Sequence, residues 1–151
     1  MKVTELFGEL FENSRQPGEF VYHASRLPNL AKGLRSIIQK GLIPSRDGYC
    51  GPGVYFAYEP EEGLYHVDKD EAVFFRAKWK QLVDKFGVYP EKGGIERDQD
   101  EIVVRGSVPA NMLEIEYFPG EWWDLESALG AETAYSESRE TDLTEDKKHA
   151  D

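Results

Sequence analysis

The spacing of apolar positions changes several times along the chain. In residues 2–13, Val3, Leu6, Phe7, Leu10 and Phe11 share one helical stripe, which predicts an amphipathic helix weakened by Gly8. Residues 14–18, Ser-Arg-Gln-Pro-Gly, read as a stop and a turn. Phe20 and Tyr22 then alternate with Val21 and His23, the period of a short strand over 19–24. Leu30, Leu34, Ile37 and Ile38 return to helical spacing within 28–40, and Gly41 is placed to end that helix.

Residues 44–53 contain two prolines and three glycines and predict a loop with unusual backbone demands. A buried strand follows at 53–57. Residues 58–70 are acidic and irregular. The run 71–86 fits a strand over 72–79 followed by a short helix over 80–86, with one continuous helix as the alternative. Residues 87–100 read as a polar, glycine-containing loop and 101–105 as a strand that begins at Glu101. After a turn at 106–111, residues 112–118 make a further strand, and 120–128 predict a short closing helix. From residue 129 apolar content falls, which predicts a frayed acidic tail over 129–151 behind a domain over 1–128. The order of elements is that of an α+β domain rather than of alternating βαβ units.

Composition narrows the picture. The chain has 151 residues, 40% hydrophobic and 13% aromatic, enough for one packed core. Cys50 is the only cysteine, so an intrachain disulfide and a four-cysteine zinc site are both excluded; this points to a reducing compartment or to redox indifference. Glu5, Gly8 and Glu9 interrupt the N-terminal apolar residues where a secretory leader would be continuous. With no run long enough to cross a bilayer, the expectation is a cytoplasmic monomer. The formal net charge is −11, and both 1–128 and 129–151 are net acidic. That argues against nonspecific nucleic-acid binding, which rests on a basic field.

Three segments stand out: Tyr22-His23-Ala24-Ser25, Gly51-Pro52-Gly53-Val54-Tyr55-Phe56-Ala57 and Gln99-Asp100-Glu101-Ile102-Val103-Val104. A helix ending in Lys40-Gly41-Leu42-Ile43-Pro44 lies between the first two. The arrangement resembles the catalytic domain of the His-Tyr-Glu class of ADP-ribosyltransferases, which includes the poly(ADP-ribose) polymerases and diphtheria toxin. The resemblance covers about residues 20–118. It departs from the family at Ala24, where glycine usually follows the histidine, and after Ala57, where the polymerases carry a Ser-Lys-Ser stretch.

The resemblance implies a small split-sheet fold with an N-terminal helix and a helix after the first strand. It implies NAD⁺ as substrate, no metal, and transfer of ADP-ribose to a macromolecular acceptor. Glu101, His23 and Tyr55 would be catalytic, and His23, Ala24, Ser25, Gly53, Tyr55 and Tyr65 would bind NAD⁺. Glu101 would hydrogen-bond a ribose hydroxyl and stabilise the positive charge that builds as the nicotinamide–ribose bond breaks. Tyr55 would give the nicotinamide a flat face, with Tyr65 as second aromatic. His23 would bond the adenosine-side ribose and Ser25 the nicotinamide amide. Gly51 and Gly53 would admit the ligand close to the backbone. Residues 86–100 would meet the acceptor through Lys92, Glu96 and Arg97. The dinucleotide is an anion, so Arg26, Lys32, Arg46 and backbone N–H groups are the candidate donors.

Plainer readings stand beside these. Phe56 points away from Tyr55 along the strand and belongs in the core. Trp122 and Trp123 read as packing residues, His66 and His149 as solvated, and Cys50 as an inert loop thiol. Asp100 competes with Glu101, and Gln99-Asp100-Glu101 also matches the Gln-x-Glu pattern of the arginine-modifying toxins. The rival functions are an NAD glycohydrolase with water as acceptor, a noncatalytic NAD or partner binder, and RNA 2′-phosphotransfer. A toxin, a phage effector and a housekeeping modifier all fit the class.

Overall fold

A computed structural model of the chain describes residues 15–46, 48, 50–65, 67–68 and 70–135, with Tyr65 described by its backbone alone. The helix expected over 2–13, together with His66 and His149, lies outside the described residues.

The strands form two antiparallel sheets, and the fold is α+β. Strands β1 (Phe20–Arg26), β3 (Ala72–Lys78), β6 (Leu113–Phe118) and β7 (Glu121–Asp124) make a four-stranded sheet in the order β1-β3-β6-β7. Strands β2 (Val54–Phe56), β4 (Glu96–Arg97) and β5 (Ile102–Val104) make a three-stranded sheet in the order β2-β5-β4. β1 runs antiparallel to β3, with Tyr22 opposite Arg76 and His23 opposite Phe75. Alternation along the strands turns Val21, Phe75, Ala77, Leu113 and Ile115 to one face, and all five are buried. The second sheet adds Val54, Phe56, Ile102 and Val104 to the same core.

Helix α1 (Leu30–Lys40) starts at Asn29, whose side-chain oxygen accepts from the Lys32 N–H at 3.1 Å, satisfying one of the free donors of the first turn. It ends at Gly41, whose φ of 77° suits glycine. A Cβ at Gly41 would also fall 2.5 Å from the Val108 carbonyl oxygen, where Leu42 and Val108 exchange two backbone hydrogen bonds. Leu34 and Ile37 form the buried face of α1. Cutting Leu34 to alanine removes a fully buried side chain, a change that costs about 2–5 kcal/mol.

The run 71–86 divides as strand then helix: β3 passes directly into α2 (Trp79–Phe86). Several segments differ from the sequence reading: β5 begins at Ile102 and leaves Glu101 in the preceding loop, and helix, not a frayed tail, runs on from residue 129 to 135. The loop expected over 87–100 contains β4, a two-residue strand too short to show a period, recruited by pairing to β5. The closing helix expected over 120–128 is instead β7, followed by helix α3 over residues 125–135. A tight turn at Gly120 folds Glu-Trp-Trp-Asp back on β6, with Trp123 opposite Ile115. Asp124 then caps α3, its carboxylate accepting from the Ser127 N–H at 3.0 Å. Hydrogen bonding from the Ser127 side chain, and then from its N–H, holds the Asp124 carboxyl below its usual range.

α3 crosses residue 129 without a break. Leu125 and Ala128 are buried, Tyr117 donates to Glu132 at 2.8 Å, and Arg35 reaches Thr133 at 3.5 Å. Among the described residues, no helix is long and apolar enough to cross a membrane.

Candidate functional site

The site lies where the two sheets part. β1 is the edge strand of its sheet and touches the second sheet at one point. There Tyr22 and Ala57 exchange backbone hydrogen bonds of 2.9 and 2.6 Å. Beyond that bridge the strands diverge, and the His23 imidazole spans the gap: Nδ1 lies 2.7 Å from the Tyr55 carbonyl oxygen and Nε2 lies 2.9 Å from the Ser25 hydroxyl. A carbonyl oxygen only accepts, so Nδ1 carries the proton. In the neutral ring Nε2 then accepts from Ser25. The ring packs near Phe56 and Phe75, at 5.7 and 6.4 Å between centroids. Ser25 therefore engages the histidine, one step back from the position expected for a nicotinamide ligand.

Antiparallel pairing also fixes the neighbour of His23. The N–H and C=O of Tyr22 point away from β3 and towards Ala57. Two residues on, the N–H and C=O of Ala24 share that direction and meet the open edge. The Ala24 methyl sits against the 3-10 turn Pro60–Tyr65: a Cβ at Gly63 would come 3.0 Å from it.

Tyr55 presents a half-buried ring and anchors its own loop. Its hydroxyl accepts from the Cys50 N–H at 2.8 Å and donates to the Gly51 carbonyl at 2.5 Å. Burial pushes the phenol above its ordinary range, against the pull of the Cys50 N–H. Gly48 lies on the hydroxyl end of the ring, where a Cβ would be 2.2 Å from the Tyr55 oxygen. Gly53 meets a different neighbour than expected: its Cβ would fall 2.4 Å from Val103 Cγ1 and 3.0 Å from the Val104 carbonyl oxygen. Its smallness thus serves contact with β5, although the residue also lines the site. The Cys50 thiol is raised by burial and then by the negative charges of Asp98 and Glu101. It stays protonated near neutrality, as expected for an inert thiol.

Glu101 stands at the last turn before β5. Arg97 pairs with Ile102 across the β4–β5 hairpin, which leaves 98–101 as the loop. The Asp98 carboxylate oxygen Oδ1 accepts from the N–H groups of both Asp100 and Glu101, each at 2.8 Å. The Asp98 N–H donates to the Glu101 carbonyl at 3.0 Å, and the Asp98 carbonyl accepts from the buried Tyr58 hydroxyl at 2.5 Å.

These parts enclose an open cavity of about 690 Å³, within the usual range for small-molecule sites. His23, Ala24, Gly53, Tyr55 and Glu101 all line it, together with Tyr22, Ile43, Ser45, Gly48, Ala57, Glu62, Gly63 and Asp100. Ser25 is not in the wall, and the Tyr65 side chain lies outside the described ones. Phe56 is buried in the core as expected, and with Val54 it also contributes to the cavity wall. Glu62, Asp100 and Glu101 bring three carboxylates, and among the described residues no lysine or arginine joins them. Glu62 pairs through Oε2 with Arg15 at 2.5 Å, while its Oε1 is buried without a partner among the described residues.

The expected cationic donors lie elsewhere. Arg26 pairs with Glu71 at 2.6 Å, and Lys32 and Arg46 are exposed outside the wall. Arg105 is the cation behind the glycine loop, donating to the Pro52 carbonyl at 2.7 Å and pairing with Glu96 at 3.1 Å. Within 86–100, Glu96 is held by Arg105, and Arg97 is held by the Arg15 carbonyl and lies near the Trp79 ring. Lys92 remains exposed. Trp122 packs against Tyr22 and Arg76 on the outer sheet face, and Trp123 against Tyr117.

Ile43, Ser45, Gly48, Glu62 and Gly63 in the wall, and Asp98 behind it, were not singled out by sequence reasoning. Gly48 and Ile43 sit beside motifs already singled out. Glu62 and Asp98 carried no readable signal, because their roles depend on how loops fold back.

Compared with protein-family models, curated proteins and solved structures, the chain has no match.

Proposed function

We propose that the cavity binds NAD⁺ and that the protein cleaves its nicotinamide–ribose bond, transferring ADP-ribose to a macromolecular acceptor. The observation that carries this reading is the convergence of His23, Tyr55 and Glu101, far apart in sequence, on one cavity at the parting of two sheets. In the reaction, nicotinamide leaves with the bonding electrons, and the ribose carbon becomes cationic. The acceptor nucleophile bonds to that carbon and releases its proton to solvent, while nicotinamide departs as the neutral base. Glu101 binds a ribose hydroxyl and stabilises the cation, an electrostatic role suited to a carboxylate on a rigid turn.

Ala24 offers an N–H donor and a C=O acceptor side by side, the complement of a carboxamide. Tyr55 and Ile43 supply apolar wall for the nicotinamide ring. The Glu62 oxygen that has no partner among the described residues supports a ligand hydroxyl in the cavity, since a buried acceptor left unpaired costs about 1–3 kcal/mol. Three carboxylates suit the cationic nicotinamide–ribose end.

Hydrolysis, with water as acceptor, is the second reading. It is favoured by the internal pairing of Glu96 and Arg97, which removes two of the three residues expected to meet a macromolecule. Wild type and Glu101→Gln are compared for nicotinamide release from labelled NAD⁺. A loss of about 10²–10³-fold is expected in the variant, and equal rates overturn the reading. Labelled ADP-ribose on a lysate protein or nucleic acid separates transfer from hydrolysis.

A further inference from the structure

The chemistry proposed for Glu101 depends on where its backbone turn holds it. We propose that Asp98 is the positioning residue for Glu101, an inference that rests on the NAD⁺-cleaving reading of the cavity. The Asp98 side chain is exposed, outside the cavity wall. Yet one of its carboxylate oxygens accepts from two successive N–H groups, those of Asp100 and Glu101, both at 2.8 Å. A side-chain acceptor of this kind fixes a turn that backbone pairing alone leaves loose. Here the pairing of β5 covers only Ile102–Val104, and beyond it the Asp98 N–H to Glu101 carbonyl bond closes the turn on its carbonyl side, leaving the Asp100 and Glu101 N–H groups to the Asp98 carboxylate.

The turn is fastened from behind as well. The Tyr58 hydroxyl donates to the Asp98 carbonyl at 2.5 Å, and Tyr58 is 4% exposed. Tyr58 follows closely on β2, the strand that carries Tyr55. Asp98 therefore joins the element bearing the stacking aromatic to the element bearing the carboxylate. Placement matters because a misplacement of about 1 Å is enough to cost about 10²-fold in rate.

What the turn requires is an acceptor oxygen, not a charge. Asparagine keeps that oxygen and alanine removes it. In steady-state nicotinamide release, Asp98→Ala is expected to lower kcat by about 10²-fold with KM for NAD⁺ little changed. Asp98→Asn is expected to retain most of the wild-type kcat. Wild-type kcat in Asp98→Ala overturns the proposal, as does an Asp98→Asn enzyme as impaired as Asp98→Ala.

A second measurement needs no activity. Amide hydrogen exchange at Asp100 and Glu101 is expected to be slow in wild type and in Asp98→Asn, and fast in Asp98→Ala. Equal exchange in all three overturns the positioning role. If wild type releases no nicotinamide, the functional reading fails, and the exchange rates still decide whether Asp98 holds the turn.

Discussion

His23 is tied to Tyr55 through the backbone: its Nδ1 lies 2.7 Å from the Tyr55 carbonyl oxygen. The two residues belong to strands of different sheets, so this side chain continues a contact that the ladder gives up after the Tyr22–Ala57 bridge. The imidazole thereby holds the cleft at a set width. It also fixes its own proton on Nδ1, which leaves Nε2 and the Ser25 hydroxyl as the polar end. One residue is thus both a wall of the cavity and the tie between its halves.

Removing that tie should act on fold and function together. His23→Ala leaves the Tyr55 carbonyl without the imidazole N–H, and an unpaired buried polar group costs about 1–3 kcal/mol. The thermal midpoint should fall, and nicotinamide release should fall with it. His23→Asn returns an N–H donor on a shorter side chain and should recover part of the stability without the activity. A His23→Ala protein as stable as wild type would show that the gap closes without the ring.

Tyr55 should separate its ring from its hydroxyl. Tyr55→Phe keeps the apolar face and deletes the partner of the Cys50 N–H and the Gly51 carbonyl. Each lost hydrogen bond is worth about 0.5–1.5 kcal/mol, so the loop should loosen and KM for NAD⁺ should rise more than kcat falls. Gly48→Ala pushes a methyl into the same phenol and should raise KM in the same way while leaving the hydroxyl in place. Steady-state kinetics of both variants read this. An unchanged KM in both would remove the loop from substrate binding.

Much of this architecture is legible in the chain. The period of two at 20–23, the stop at Gly41 and the strand-to-helix change near Trp79 each follow from local chemistry. β7 was hidden because Glu-Trp-Trp-Asp is too short to show a period of its own beside the helix that follows, and only pairing with β6 makes it a strand. β4 exists solely as a partner of β5. In the site, His23, Tyr55 and Glu101 were marked by residue type and setting. Gly48 and Asp98 were not, because a glycine against a phenol and an aspartate under a turn are contacts made only after folding.

The segment beyond residue 128 should contribute to the fold. Tyr117 donates to Glu132, and its phenol is pushed up to about 12 by burial first and then by this hydrogen bond and the nearby carboxylate charge. A phenol whose folded pKa is raised stabilises the fold below its ordinary value of 10.0 and loses that contribution as pH climbs towards 12. Wild type should therefore lose more stability than Tyr117→Phe across that window. The difference between the two thermal midpoints, followed against pH, isolates Tyr117 from the other tyrosines. A constant difference would mean that Tyr117 and Glu132 do not meet in solution.

Cys50 reports on the carboxylates of the site without any turnover. Its thiol is raised by burial first and then by Asp98 and Glu101. Thiolate is the form that alkylates, so iodoacetamide should react with native Cys50 along a pH profile shifted above that of a free thiol. Glu101→Gln and Asp98→Asn each remove one negative charge, and each should move the profile back towards lower pH. Burial remains in both variants, so neither should reach the profile of the unfolded chain. Salt screens exposed charges, and added salt should shrink the gap between wild type and variants. Superimposable profiles would place Glu101 away from the glycine loop and separate it from Tyr55, whose hydroxyl that loop surrounds.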